Sequence, residues 1–205
     1  MEEFSFVFTV FFMVLGPGKI IAPFAALTRA TDAAFKRSVA IRGALIAAVL
    51  CAFSALAAQF LLSHYRMSFE ALRISGALVL LVSALQTIFH KEEHPNPPGG
   101  TPNAQRLAVS PVAVPIVVPP AGVVAILIFM LFEPQFPGVT KAVLIALPAV
   151  LVVDFLVMYF IDAVVRTPGL GIGLTVLGAV LIFGQLGLSI EMFLSALKAL
   201  GVLRA

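Results

Sequence analysis

Tryptophan is absent, tyrosine occurs twice, and cysteine once, as Cys51. A single cysteine excludes an internal disulfide. Charge is scarce too: 13 Lys and Arg with 10 Asp and Glu give 11% charged residues in a chain of 205, against about 25% in a soluble domain. There is no Ser/His/Asp or Cys/His arrangement, no Gly-rich phosphate loop and no ATP motif. These absences argue against an enzyme and against ATP-driven transport. The run "HKEEH", His90 to His94, spaces two histidines as a helical metal site would. It stands beside Pro95, where a helix should stop, and no further Cys/His cluster supports it. It reads as a solvated charge run at a membrane edge, and neither metal nor cofactor is expected. The net charge of +3 is a modest basic excess of the kind that cytoplasmic loops carry, and does not suggest nucleic acid.

What the chain has in quantity is apolar sequence. It is 61% hydrophobic, with a mean hydropathy of +1.11. The expected fold class is an all-α polytopic membrane protein, a single transmembrane domain over 1–205, with the lipid bilayer as its surroundings. Six segments are long enough to span: about 4–28, 38–62, 70–90, 107–131, 141–162 and 170–199. Met1-Glu2-Glu3 is acidic and no small-residue cleavage site follows, so the first segment reads as a retained helix. "KEEHPNPPGGTPNAQR", Lys91 to Arg106, reads as a flexible linker between a half at 1–90 and a half at 107–205. Lys and Arg are denser in loops 1, 3 and 5, which predicts that those loops are cytoplasmic and both termini extracytoplasmic. The expected location is the cell (inner) membrane.

Three spans per half means that related halves have opposite topology. A shift of 102 positions lays Pro17 on Pro119 and Gly76 on Gly178. A 3+3 inverted repeat is therefore expected, with interrupted helices at matching places marking the site. The interruptions are plain. "GPGKIIAP" breaks the first span and "SPVAVPIVVPPAG" the fourth, because Pro lacks the helix donor and clashes with the preceding turn. Broken backbone is tolerated in a membrane only where protein or a wet cavity surrounds it. Gly16, Pro17, Gly18, Lys19, Pro119, Pro120, Ala121 and Gly122 are the candidate substrate-binding residues. The alternative is a pair of simple kinks in packed helices.

Lys19 is the least ordinary residue. It lies about 22 Å into a core of about 30 Å by helical rise. Asp154 sits at about 20 Å in the fifth span, so a Lys19–Asp154 charge pair is the sharp expectation and snorkelling of Lys19 the plain one. Polar and small stripes on the sixth span (Gly171, Thr175, Gly178, Gln185, Ser189) and the third (Gly76, Ser83, Gln86, His90) read as helix–helix contacts. Arg73 is placed to pair with Glu70 or to cap a broken-helix carbonyl.

Three stretches, "GPGKIIAPFAALT" (Gly16–Thr28), "LRISGALVLLVSALQ" (Leu72–Gln86) and "SPVAVPIVVPPAG" (Ser110–Gly122), resemble the MarC-like integral membrane proteins, whose relatives include the SnatA-type neutral amino acid transporters. Pro17, Phe24, Leu27, Thr28, Arg73, Gly76, Pro111, Pro115 and Pro120 match the family pattern. Gly16 stands where the family has Asn, Lys19 where it has Gly, and Pro119 and Ala121 replace two glycines. The resemblance implies six spans, an outside N-terminus and movement of small neutral amino acids. The function expected is secondary transport of a small solute, with or without a coupling ion. The alternative is a membrane scaffold or accessory protein that keeps the fold without the transport. The sequence carries no signal for oligomeric state.

Overall fold

The computed structural model describes residues 2–64, 68–89, 103–132, 137–167 and 169–203. The His90–His94 run and the linker lie outside them, apart from residues 103–106. Helices account for nearly all of the described chain. The first span is α1 (Glu2–Val14), a short 3-10 turn (Pro17–Lys19) and α2 (Ile21–Thr28). α3 (Ala33–His64) begins earlier than the expected 38, because the Asp32 carboxylate accepts the Phe35 N–H at 2.9 Å and caps the helix. α4 (Phe69–Phe89) closes the first half. In the second, α5 (Ala104–Leu107) starts on an Asn103 cap that accepts from the N–H groups of Gln105 and Arg106. An irregular coil (Ala108–Val117) leads to α6 (Pro120–Leu131). α7 (Val139–Tyr159), α8 (Ile161–Arg166) and α9 (Leu170–Ala199) complete the chain. Among the described residues, five helices are long and apolar enough to cross a membrane, or six when the bent pair 104–117 and 120–131 is counted as one span.

Side-chain exposure is inverted relative to a soluble protein. Leu45, Val49, Phe53, Leu56 and Phe60 follow helical spacing along the outside of α3, and Phe53 is 69% exposed. Val176, Val180 and Phe183 do the same on α9. These faces meet lipid tails. Packing between helices therefore rests on close fit rather than on escape from water. Gly76 illustrates it: a Cβ there would overlap the Ile128 side chain of α6. The fully buried centre joins Phe11, Leu15, Ile20 and Phe24 of the first span to Ile126, Val143, Ala146 and Val150 of the second half.

The halves interlock. The most extensive interface is α4 along α9, and α3 packs on α7. α1 lies against α7 while α3 lies against α6 and the coil before it; α1 touches α9 while α4 touches α6. Exchange the two halves and α4–α9 and α3–α7 map onto themselves, while α1–α7 maps onto α3–α6 and α1–α9 onto α4–α6.

The two breaks also meet. Gly122 opens α6 directly against Leu15, the last residue before the first break, and a Cβ at 122 would overlap the Leu15 side chain. Leu15 is fully buried, so it has nowhere to retreat. Gly122→Val is expected to cost about 1–3 kcal/mol of stability by overpacking, read as a lower unfolding temperature in detergent. Adding Leu15→Ala should recover part of the loss; no recovery would mean that the two breaks do not bear on one another.

Candidate functional site between the broken helices

The first break is built by a turn that proline starts. α1 ends with Leu15 and Gly16 still donating to the carbonyls of Phe11 and Phe12, at 2.7 and 3.1 Å. Gly16 then turns extended (φ −59°, ψ 172°) and Pro17 begins the 3-10 turn, where its missing N–H is no loss. Lys19 N–H bonds Gly16 O at 3.2 Å, and Ile20 N–H bonds Pro17 O at 3.1 Å, before α2 resumes. A Cβ on Gly18 would stand 3.6 Å from Gly178 Cα. That is an ordinary contact distance, so the turn packs on α9 without needing glycine at either position.

The fourth-span break runs through the whole proline-rich motif: the backbone leaves the helical region first at Ser110 and again at Val114, both extended. Pro111 and Pro115 follow those two residues, and the residue before a proline is pushed out of the helical region. Val118 N–H reaches back to Ala113 O at 2.9 Å, a wide turn, and Pro119 is extended (φ −70°, ψ 159°). The helix restarts at Pro120 after a 60° bend. Simple kinks in continuous helices do not describe either segment.

The candidate residues do not all gather. Gly16, Pro17, Ala121 and Gly122 are buried at the contact between the breaks. Gly18, Lys19 and Pro119 are half-buried, and Pro120 is exposed. The Lys19–Asp154 pair is not formed. Lys19 Nζ donates instead to Gln185 Oε1 at 3.1 Å, because its turn packs over α9. Asp154 is fully buried and neither of its oxygens has a hydrogen-bond partner among the described residues. Gln185, 1% exposed, passes the connection on: its Nε2 donates to the Leu80 carbonyl of α4 at 3.0 Å. One side chain thus ties the break in the first span to α9 and α4. The stripe on the sixth span contains Gln185, but helical spacing alone does not distinguish a packing glutamine from a ligand to lysine.

Above this chain lies a cavity of about 220 Å³ between α1, α4, α6, α7 and α9. Val10, Leu80 and Leu188 lie along its apolar wall, and Glu3 and Arg73 supply its charged groups. Arg73 does not pair with Glu70. Its guanidinium lies over the Phe69 ring, 5.1 Å from the centroid, a cation–π contact. Beside the breaks, Ile20, Val117 and Val118 are each at most 2% exposed. At the α8 end of the molecule, Lys36 donates to Asp162 at 2.6 Å and Arg37 covers Tyr159. The hydrogen bond from Lys36 holds the Asp162 carboxyl below the usual carboxylate range.

A family model described as MarC family integral membrane protein matches residues 1–200. No curated protein and no solved structure matches the chain.

Gln185→Leu should destabilise the protein by about 1–3 kcal/mol, because the Lys19 amine and the Leu80 carbonyl both lose a partner in a buried place. Gln185→Glu, which keeps an acceptor for Lys19, should cost less. Equal melting temperatures for the two variants would show that the Lys19 contact carries no weight. The Asp162 bridge has a pH signature of definite sign. Its folded-state acidity is greater than the unfolded carboxylate's, near 3.9, so its stabilisation is present above that range and lost as pH falls through the folded value. Asp162 is about half exposed, so the effect is small and weakened by salt. Wild type and Asp162→Asn should melt further apart at pH 7 than at pH 3; a constant gap would contradict the bridge.

Proposed function

We propose, from the premise that this chain belongs to the MarC family of integral membrane proteins, that it is a secondary transporter of small solutes, neutral amino acids first among them, with its site between the breaks of the first and fourth spans. The observation that carries the reading is Lys19. It is a basic side chain in the interior of a membrane protein, at a helix break, and its hydrogen-bond partner is a neutral amide. Such a group is poised for a carboxylate that arrives from outside the chain. Gly16 to Gly18 and Pro119 to Gly122 would offer backbone groups beside it. The cavity lined by Leu80 would be the approach from the Glu3–Arg73 side, and the buried side chains of Ile20, Val117 and Val118 a barrier to passage.

The packing that survives exchange of the halves supports a 3+3 inverted repeat, and with it alternation of access by movement of one half against the other. The reading carries the location and orientation with it: a multi-pass protein of the cell inner membrane with both termini outside, in keeping with Lys36, Arg37 and Arg166 at the α8 end. One feature favours the scaffold alternative. The breaks are filled by apolar side chains, as a protein with no substrate would fill them.

Uptake by purified protein in liposomes, against a panel of neutral amino acids, decides between the two. The wild type should carry at least one, and Lys19→Met should lower uptake by about 10- to 100-fold, the loss of one hydrogen bond to a charged group. Lys19→Arg should not restore it fully, since a planar guanidinium needs a differently shaped cavity. A folded wild type that carries none of the panel leaves the scaffold reading standing, and undiminished uptake by Lys19→Met removes Lys19 from the site.

A further inference from the structure

The proposed site leaves one buried carboxyl group unused. Asp154 is 0% exposed, and both of its oxygens lack a hydrogen-bond partner among the described residues. A carboxylate in apolar surroundings without a donor is far costlier than the neutral acid. The packed elements offer little to offset that cost. From α3, the Cys51 thiol interacts with it electrostatically. Lys36 and Arg37 of that helix are drawn to Asp162 and Tyr159, Arg42 is exposed, and His64 lies at the far end against Phe60. Lys19, on the 17–19 turn, is taken by Gln185. Glu3 of α1 lies beside Gly138, at the opposite end of α7. α2 and α6 contain no ionisable residue, and Asp162 and Arg166 of α8 lie further along the chain.

We propose that Asp154 is a proton-binding site, protonated in this conformation and emptied to water when the α3–α7 interface opens, and that its proton is the coupling ion of transport. The last clause rests on the transporter reading; the site itself does not. α3 belongs to the first half and α7 to the second, so a movement of one half against the other is what would uncover the acid. Asp154 stands about 12 Å by helical rise from Asp162 and the polar groups of that end. In the exchange, the acid O–H bond breaks, the proton passes to water and the electron pair stays on the carboxylate. A metal cation fits the place poorly. Hard cations need six or more oxygen ligands, and among the described residues no three His, Cys, Asp or Glu side chains come together.

Infrared spectroscopy of the protein in lipid at neutral pH tests the site without any substrate. The wild type should show the carbonyl stretch of a protonated carboxylic acid. Isotopic labelling of aspartate carboxyl carbons should move that band, transfer into D2O should shift it, and Asp154→Asn should lack it. The labelling arm leaves the chain unaltered, so the result does not depend on how well the variant folds. No such band, or a band that never responds to D2O, overturns the site. The coupling is tested in liposomes that hold a pH-sensitive dye and receive a mixture of neutral amino acids. The wild type should move protons with them, Asp154→Asn should not, and Asp32→Asn, altered at an exposed aspartate, should behave as wild type. Undiminished proton movement in Asp154→Asn overturns the coupling. A wild type that carries no amino acid overturns the transporter reading and the coupling with it, while the infrared band still decides the site.

Discussion

A backbone group that leaves its helix inside a membrane finds no water to bond, and that constraint governs the rest of this molecule. Two of its spans are broken, so two stretches of backbone must be hidden from lipid. The fold hides them against each other. Leu15 caps the first break and Gly122 opens the helix after the second, and they touch. Around them α4 and α9 close one side, and α3 and α7 the other. Each break packs against helices of the other half, the 17–19 turn against α7 and α9 and the coil before α6 against α3.

The same constraint distributes the polar side chains. Inside so apolar a protein, each polar group either finds a partner within the chain or stays neutral. Lys19 finds Gln185, and Gln185 finds the Leu80 carbonyl. Thr28 and Ser54 return their hydroxyls to carbonyls of their own helices, at Phe24 and Leu50. Lys36 and Asp162 meet where water is available to share the cost. Asp154 has no such arrangement. That exception is informative because everything around it obeys the rule.

The breaks were legible in the sequence because proline and glycine act locally, through missing donors and restricted torsions. Six spans followed from apolar length, and the start of α3 shifted only because Asp32 provides a cap. The second break opens at Ser110, the first residue of its proline motif. Pro111 and Pro115 act on the residues before them, Ser110 and Val114, so the distortion runs toward the N-terminus from each ring. The partner of Lys19 was not legible. Depth along a helix axis put Lys19 and Asp154 at comparable levels, but depth carries no information about which way a side chain points. Once the 17–19 turn replaces regular helix, the 100° per residue that would assign a face no longer applies. Gln185 is some 166 positions away in the chain, and its pairing with Lys19 depends on how α9 crosses the turn, which no local pattern encodes.

Separation of the two ionisable groups changes what the interior can do. A Lys19–Asp154 ion pair would have been self-satisfied, and opening it would have exposed two opposite charges at once. As folded, the basic group meets α9 through a neutral amide, and the acidic group is buried in α7, which packs against α3. They lie on different helix interfaces, each formed between the two halves. Rearrangement of one half against the other can therefore alter the surroundings of each group separately, while the chain never has to break a buried ion pair to move. Lys19 and Asp154, neither of them in an ion pair, are groups whose stability differs between closed and open arrangements. A population shift needs such differential interactions, since a ligand that meets both states equally moves neither.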